Sequence, residues 1–200
     1  GAELSMKNEF HKVYYHKLGT PQSEDVLTFS NPDYPLRNYY AQVTRDERFL
    51  IIYESESTSG SGMYCKDLSI NSSEIKQIVK GFEFEHSVID NFDDKLLMRT
   101  NNGAAKYRLV LVDPQHPADS NWTVIISEKE EPLRGVNLSG GTIVARYLKD
   151  ASSRAFVHEL DGKLKYEIKL PNIGSMSGLN SKIEDTLAFY SYSTFTSPPI

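Results

Sequence analysis

The chain has 200 residues and a formal net charge of −5 at neutral pH, and its 22 Lys and Arg residues are dispersed among 27 Asp and Glu residues. This dispersal excludes the basic stripe of a nucleic-acid-binding protein, and no apolar run approaches the roughly 20 residues that a membrane span needs. We therefore expect neither nucleic acid nor a membrane among its partners. The single cysteine, Cys65, excludes an internal disulfide framework and a cysteine-based zinc cluster. Composition leaves the compartment open.

The first strand-like runs are HKVYYHKLG from His11 and VLTF from Val26, and residues 1–10 before them are polar and without pattern. The whole chain favours β-structure, because Tyr, Phe, Val, Ile and Thr occur in short runs bounded by turn-forming residues. The nearest candidate for a helix is Ser72 to Val79 (SSEIKQIV). It is too short to be stable alone and is equally well explained as a turn that leads into a strand.

Four runs further along the chain resemble one another and begin 46, 47 and 44 residues apart. They are FLIIYES from Phe49, KLLMRTN from Lys95, TIVARYL from Thr142 and TLAFYSY from Thr186. Each follows a turn, namely Arg45-Asp46-Glu47, Asp93-Asp94, Gly140-Gly141 and Glu184-Asp185, and a shorter run from Ala41, His86, Arg134 or Ser177. After three of the four come a third and a fourth run, from Gly62 and Lys76, Tyr107 and Trp122, and Arg154 and Lys165. The repeat unit is four strands in about 45 residues.

An antiparallel unit of four strands and this length is typical of a β-propeller blade, whose apolar faces are buried by stacking on neighbouring blades. A β-sandwich also has many short strands, but it has no reason to repeat one four-strand order three times. We therefore predict an all-β fold, a single partial β-propeller domain over residues 1–200. With strands lettered A to D outward from the axis, the complete blades are 41–81, 86–127 and 134–171. Half-blades are predicted at 11–30, with strands C and D, and at 177–192, with strands A and B.

Several long segments resemble the propeller of the prolyl oligopeptidase family, serine peptidases that cut short proline-containing peptides. They are KVYYHKLGTPQSEDVL from Lys12, YRLVLVDPQHPADSNWTVII from Tyr107, YLKDASSR from Tyr147 and FYSYSTFTSPP from Phe189, and the similarity runs from Lys7 to Ile200 in matching order. The resemblance implies part of a seven-bladed propeller that caps an α/β-hydrolase domain and restricts the access of large substrates to its Ser, Asp, His triad. Glu47 departs from the Gly common in the family, which leaves the conformation of that turn open.

No catalytic, cofactor-binding or metal-binding residue is predicted in this chain, and no cofactor is expected. A nucleophile elbow needs Gly-x-Ser-x-Gly between a strand and a helix, and the nearest strings, SGSG from Ser59 and GSMSG from Gly174, have the wrong spacing and are predicted to be loops. We therefore expect the chain alone not to be an enzyme, although its parent is expected to be a serine endopeptidase. Loops such as Glu54 to Gly62 are candidates for facing the hydrolase domain, but the sequence does not say which end of each blade points that way.

Five histidines and two acidic clusters are the remaining candidates for chemistry. The histidines are His11, His16, His86, His116 and His158. His11 and His16 are expected on opposite sides of one strand, and no pair has the spacing of a metal motif, so we interpret all five as ordinary polar or packing residues. Asp90 to Asp94 (DNFDD) lacks the spacing of a calcium loop and predicts a hairpin turn. Glu128 to Glu131 (EKEE) predicts a solvated connection between blades.

Two functions from different classes fit this pattern. The first is the non-catalytic gating portion of a prolyl oligopeptidase-like peptidase, with the catalytic domain of the same parent chain and a peptide substrate as partners. The second is a free-standing interaction module that binds a peptide or protein. Half-blades at both ends expose unpaired strand edges, and two arrangements follow. Residues 177–192 pair with residues 11–29 and close a four-bladed ring, or an open arc associates with another copy through its edges.

Overall fold

The structure is a computed structural model, and it describes residues 8–179, 181–182 and 185–195. Within these residues the chain forms sixteen β-strands and two short 3-10 helices, Gln22–Glu24 and Asp119–Asn121. It divides into two compact units, Gly1–His86 and Ser87–Ile200, each of which is described by itself. None of the helices in the described part of the chain is both long and apolar enough to span a membrane.

The first unit contains one two-stranded and one four-stranded antiparallel sheet. The pair is β1 (Lys12–Tyr15) with β2 (Val26–Ser30), and the larger sheet runs in the order β3 (Asn38–Val43), β4 (Phe49–Ser55), β5 (Gly62–Asp67), β6 (Lys76–Val79). The Phe29 ring of β2 lies 4.8 Å from the ring of Tyr64 and 5.1 Å from that of Tyr39. The two sheets therefore share an apolar layer, as stacked blades do.

The second unit contains two four-stranded antiparallel sheets and one strand pair. The first sheet is β7 (His86–Phe92), β8 (Lys95–Thr100), β9 (Arg108–Val112) and β10 (Thr123–Ile126); the second is β11 (Leu133–Ser139), β12 (Thr142–Lys149), β13 (Ser152–His158) and β14 (Leu164–Ile168); the pair is β15 (Gly174–Gly178) with β16 (Tyr190–Thr194). Leu97 and Leu109 of the first sheet pack against Ile143 and Tyr147 of the second. Met176 of the pair packs against the second sheet in turn.

Equivalent arginines tie each sheet of the second unit to the first strand of the next sheet. Arg99 of β8 donates its Nε–H to the Leu133 carbonyl at 3.0 Å, and Arg146 of β12 donates from Nη1 to the Met176 carbonyl at 2.7 Å. Both arginines occupy the fifth position of the repeated run, in KLLMRTN and TIVARYL. The sequence repeat therefore includes a charge-assisted hydrogen bond between neighbouring sheets as well as an apolar pattern.

The predicted fold class is confirmed by this architecture, which has three four-stranded sheets and a strand pair toward each end of the chain. The second strands of the three complete sheets begin at Phe49, Lys95 and Thr142, where the repeat placed them. Residues 68–72 form turns and a bend, and residues 73–75 lead without regular structure into β6, so the alternative to a helix from Ser72 was correct. That one domain spans residues 1–200, with the predicted half-blade limits, stays a prediction.

The predicted strands of the C-terminal pair are wrong by several residues. GSMSG, predicted to be a loop, is strand β15, and the other strand starts at Tyr190 instead of Thr186. Gly174 and Met176 are buried while Ser175 and Ser177 are exposed, so the string alternates like a strand. Leu187 and Phe189 are 74% and 82% exposed, so the apolar run TLAF has no sheet face to cover. The predicted turn residue Glu184 lies outside the described residues.

The two terminal strand pairs belong to different units. β1 and β2 form a two-stranded sheet in the first unit, and β15 and β16 form one in the second. That these pairs combine into a composite fourth blade stays a prediction. Their open edges have a simple cause, because a hairpin satisfies backbone groups on one side of each strand only. Association with another copy through these edges stays a prediction.

Glu47, where the family commonly has Gly, lies in the turn between β3 and β4. This residue has a φ of +61°, in the left-handed region, and its N–H donates to the Thr44 carbonyl at 2.8 Å. Asp46 supports the turn, since its Oδ1 accepts from the Thr44 hydroxyl at 2.8 Å and from the Arg48 N–H at 3.0 Å. A glycine suits this position because it adopts positive φ without a Cβ penalty.

We expect Glu47→Gly to raise the free energy of unfolding by about 1 kcal/mol, the approximate cost of a left-handed conformation for a residue with a side chain. Chemical denaturation of the two proteins measures the difference. Glu47→Ala is the matched control, because it removes the carboxylate and keeps the Cβ, and it should not stabilise. A gain shared equally by the alanine variant would assign the effect to charge instead of backbone strain.

Candidate functional site

The five histidines lie in separate surroundings. His11 accepts a hydrogen bond from the Tyr39 N–H at 2.9 Å, and the Nδ1 of His158 lies 2.8 Å from the Gly162 carbonyl oxygen. His86 and His158 are buried, and burial lowers the pKa of both, that of His86 to about 4. The expectation that His11 and His16 share one strand is wrong, because β1 runs from Lys12 to Tyr15 and includes neither of them.

Two histidine–aspartate pairs lie in the connections between the third and fourth strand positions. His16 Nδ1 is 2.6 Å from Asp25 Oδ1, and His116 Nδ1 is 2.8 Å from Asp113 Oδ2. Such a pair is two thirds of a serine-hydrolase triad, but a nucleophile requires a serine within hydrogen-bond reach of the imidazole. In the described part of the chain neither of these imidazoles is hydrogen-bonded to a serine. That the chain lacks a triad stays a prediction.

The other candidate groups have structural surroundings. Cys65 is buried, and burial raises the pKa of its thiol to about 12, which keeps it protonated. The Asp90 to Asp94 stretch contains the hairpin turn between β7 and β8, as predicted, with Asp93 at a φ of +52°. Among the residues that the structure describes, no group of three or more His, Cys, Asp or Glu side chains is placed to hold a metal ion.

The acidic segment after β10 is packed more closely than a solvated connection. The ammonium of Lys129 lies 4.8 Å from the ring centre of Tyr147 and 4.7 Å from that of Phe156. Glu131 forms an ion pair with Lys149 at 3.2 Å, while Glu128 and Glu130 are exposed as expected. The segment is therefore held against the second four-stranded sheet of its unit by cation–π and ionic contacts.

An extensive polar cluster lies at one end of the β3–β6 sheet and is centred on Glu54. This carboxylate is only 1% exposed, and it accepts hydrogen bonds from Gln77 Nε2 at 2.9 Å and from the Tyr64 hydroxyl at 3.2 Å. Arg37 Nη1 adds an ion pair at 3.3 Å. Gly62 lies opposite Glu54 in the ladder, and a Cβ there would be 2.7 Å from Oε1. A glycine in this position leaves room for the buried carboxylate.

Arg37 links this buried carboxylate to the surface. Its guanidinium carbon lies 3.5 Å from the ring centre of Tyr34 and 5.0 Å from that of Phe82, and its Nε–H donates to Glu56 at 2.7 Å. Three chain segments therefore meet at this guanidinium: the connection into β3, the connection after β4 and the segment after β6. We call Arg37, Glu54, Glu56, Tyr64 and Gln77 the Glu54 cluster.

The Glu54 cluster fixes the positions of three connecting segments. Burial, followed by the neighbouring Glu54 carboxylate, raises the pKa of Tyr64, so the hydroxyl remains a donor to that carboxylate at neutral pH. Three donors occupy most of the roughly four lone-pair sites of this carboxylate, and the side chain is only 1% exposed, so it is closed to a ligand from solution. The sequence singled out residues 54–62 only as a loop that faces another domain, and Glu54 in fact lies inside β4. The sequence signal that could have pointed to this cluster was Gly62, two residues after Gly60, because a glycine there leaves room for the Glu54 carboxylate.

Antiparallel sheets that pack face to face within each unit, three of them with four strands, define the class of β-propeller blades. The sequence matches the family described as "Prolyl oligopeptidase, N-terminal beta-propeller domain" over residues 1–200. The chain belongs to this family.

Two relatives show the extent of the similarity. The prolyl endopeptidase of Elizabethkingia miricola is 37% identical over 199 residues, which cover 100% of this chain and 28% of that protein. The prolyl endopeptidase of Elizabethkingia meningoseptica is similar to the same degree, with 37% identity over 199 residues. The chain thus spans about 28% of the length of these relatives.

Solved structures give the same result for the fold. A structure from a mechanistic analysis of two prolyl endopeptidases matches with a TM-score of 0.84 and 30% identity, over 94% of this chain and 27% of the other. Prolyl oligopeptidase B from Galerina marginata, without ligand, matches with a TM-score of 0.81 over 91% of this chain and 26% of the other. At 21% identity, this second likeness supports the fold alone.

Proposed function

We propose that this chain is the propeller portion of a prolyl oligopeptidase-type serine endopeptidase and that it limits the access of substrates to a catalytic α/β-hydrolase domain. The observation that carries this proposal is the family match over residues 1–200, together with the 28% share of the related prolyl endopeptidases that the chain spans. The partners in this proposal are that catalytic domain and a peptide substrate. Prolyl oligopeptidase B from Galerina marginata has been solved bound to a 25mer macrocyclization substrate.

The structure supports a steric function of this kind. An access barrier must keep its shape against thermal opening, and strands of paired backbone with buried apolar faces open rarely. The arginine bonds at Arg99 and Arg146 fasten one sheet to the next, and the Glu54 cluster fastens three connecting segments to one another. We expect short proline-containing peptides to pass such a barrier and large folded proteins to be excluded.

Activity of the purified chain tests the first half of the proposal. We expect no cleavage of a fluorogenic Gly-Pro peptide and no labelling by an active-site serine probe, because the nucleophile is expected in the catalytic domain. The full-length prolyl endopeptidase of Elizabethkingia miricola is the positive control for both reagents. Cleavage or labelling by this chain, abolished by substitution of one of its own serines, would contradict the proposal.

The gene itself tests the second half. We expect the reading frame to continue beyond Ile200 into hydrolase sequence with a Gly-x-Ser-x-Gly elbow. A reading frame that stops near Ile200 would instead favour the free-standing module that binds a peptide or protein. The two outcomes separate the functions without any assay of activity.

A further inference from the structure

The connection between β8 and β9 carries an Asn-Gly pair, Asn102–Gly103, at its tip. The Ala104 N–H donates to the Asn101 carbonyl at 3.1 Å, which places the pair at the two central positions of a β-turn. Gly103 has a φ of +64°, as the third residue of such a turn often requires. The backbone N–H of Asn102 donates to the Thr100 hydroxyl at 3.0 Å. The turn is therefore ordered by its flanking residues and not by the pair's own side chain.

The groups that react in deamidation are both free at this pair. Within residues 8–179 and the other described positions, neither the Asn102 carboxamide nor the Gly103 N–H has a hydrogen-bond partner. Gly103 is exposed and Asn102 is half-buried. In deamidation the backbone nitrogen of the following residue attacks the carboxamide carbon, and a following glycine offers no side chain to obstruct this approach. The pair therefore presents an unprotected nucleophile beside an unprotected amide.

Two other asparagines of the chain have restrained side-chain amides. The side-chain amide of Asn91 donates to the Asp93 carbonyl at 3.0 Å, and that of Asn121 donates to the His116 carbonyl at 3.2 Å. The comparable Asp161–Gly162 pair is restrained on its backbone, because the Gly162 N–H donates to the Glu159 carbonyl at 2.9 Å. Breaking such hydrogen bonds adds to the barrier for ring closure.

We propose that Asn102–Gly103 is a site of spontaneous deamidation in the folded chain. The Gly103 nitrogen loses its proton and forms a bond to Cγ of Asn102, the carboxamide nitrogen leaves as ammonia, and a five-membered succinimide results. Water then opens either carbonyl of the ring, which gives aspartate or isoaspartate at position 102. Solvent supplies the water, and no electrons are transferred.

The product adds a negative charge close to Arg108. Arg108 Nη2 would lie 3.4 Å from a Cβ placed on Gly103, and the Nε of Arg108 is buried without a hydrogen bond. A carboxylate at position 102 would thus lie beside Gly103, the residue that approaches Arg108. The guanidinium of Arg108 forms no ion pair with any described carboxylate. The modification changes the charge of the connection where a cation is available to receive it.

Incubation of the folded chain at mildly alkaline pH, followed by peptide mapping with mass spectrometry, tests the proposal. We expect the peptide that contains Asn102 to gain the mass difference between an amide and an acid several-fold faster than the peptide that contains Asn71. A more acidic species should appear on anion exchange, and Asn102→Gln should remove it. This result is independent of whether the chain belongs to a longer peptidase.

Two results would overturn the proposal. One is a rate at Asn102 no greater than that at Asn71 in the folded chain. The other is deamidation at Asn102 only after denaturant is added, which would show that the turn protects the pair. Circular dichroism of Asn102→Gln confirms that the variant is folded, and the mapping of the unmodified chain decides the question even if that variant is not.

Discussion

Arg37→Met is expected to lower the free energy of unfolding by about 3 kcal/mol, because removal of one partner leaves the other as an uncompensated buried charge. The charge left behind is Glu54, only 1% exposed, which keeps its donors Tyr64 and Gln77 and loses the guanidinium. Methionine preserves part of the stacking against Tyr34 and isolates the loss of charge. Urea denaturation monitored by circular dichroism measures the difference.

A second substitution and a surface control show whether this loss comes from the buried ion pair. Adding Glu54→Gln to Arg37→Met should recover part of the loss, because a neutral amide costs less to bury than a carboxylate. Lys165→Met removes the exposed ion pair of Lys165 with Glu159, 3.1 Å apart, and should cost less than about 1 kcal/mol. A loss for Arg37→Met no larger than for Lys165→Met would show that the ion pair does not stabilise the fold.

Acidification from pH 6.5 to pH 4 is expected to destabilise the chain by up to about 3 kcal/mol through His86 alone. Burial lowers the pKa of His86 from 6.5 to about 4. The unfolded chain therefore binds a proton near pH 6.5, whereas the folded chain resists it until about pH 4. The contribution of neutral, buried His86 to the free energy of unfolding is complete above pH 6.5 and is lost as the pH falls to 4. His158 changes in the same direction, since burial lowers its pKa as well.

NMR titration of the histidine ring protons tests this assignment, together with denaturation at several pH values. The His86 signal should remain that of a neutral imidazole well below pH 6.5, and His86→Gln should flatten the pH dependence in that window. His116→Gln is the control, because the His116 side chain is 73% exposed. An imidazole of His86 that titrates near pH 6.5 in the folded chain would contradict the prediction. Against the effect of burial, hydrogen bonds from Ser69 and then Arg48 lower the pKa of Asp67, and Arg154 lowers that of Glu167, so the contribution of each carboxylate is lost as the pH falls through its lowered pKa.

The sequence predicted the β-strands best where burial imposes a pattern that the chain must carry locally. Ile51 and Ile52 are fully buried, at 0% solvent exposure each. The sequence shows this burial as the continuous apolar run with which FLIIYES begins. Strands of this kind begin after turns of Asp, Glu or Gly, which mark their limits. The strand limits of the C-terminal pair escaped prediction because Ser and Gly dominate β15, and their burial depends on the sheet beside them.

The Glu54 cluster could not be predicted for a related reason. Its members are separated by 17 and 23 residues along the chain, and each is an ordinary polar residue in its own segment. Which carboxylate becomes buried depends on where β5 and the connection into β3 are placed in three dimensions. The low pKa of His86 has the same origin, because burial and not the local sequence lowers it.

The sequence by itself thus determined the repeat of four strands, its blade class and its family, because periodic burial in stacked sheets must be written into every unit of the chain. Only the tertiary structure decided the strand limits near the C-terminal end, the left-handed turn at Glu47 and the partners of Arg37 and Glu54. Those features depend on contacts between residues distant in sequence or on backbone angles, and the repeat pattern does not specify either.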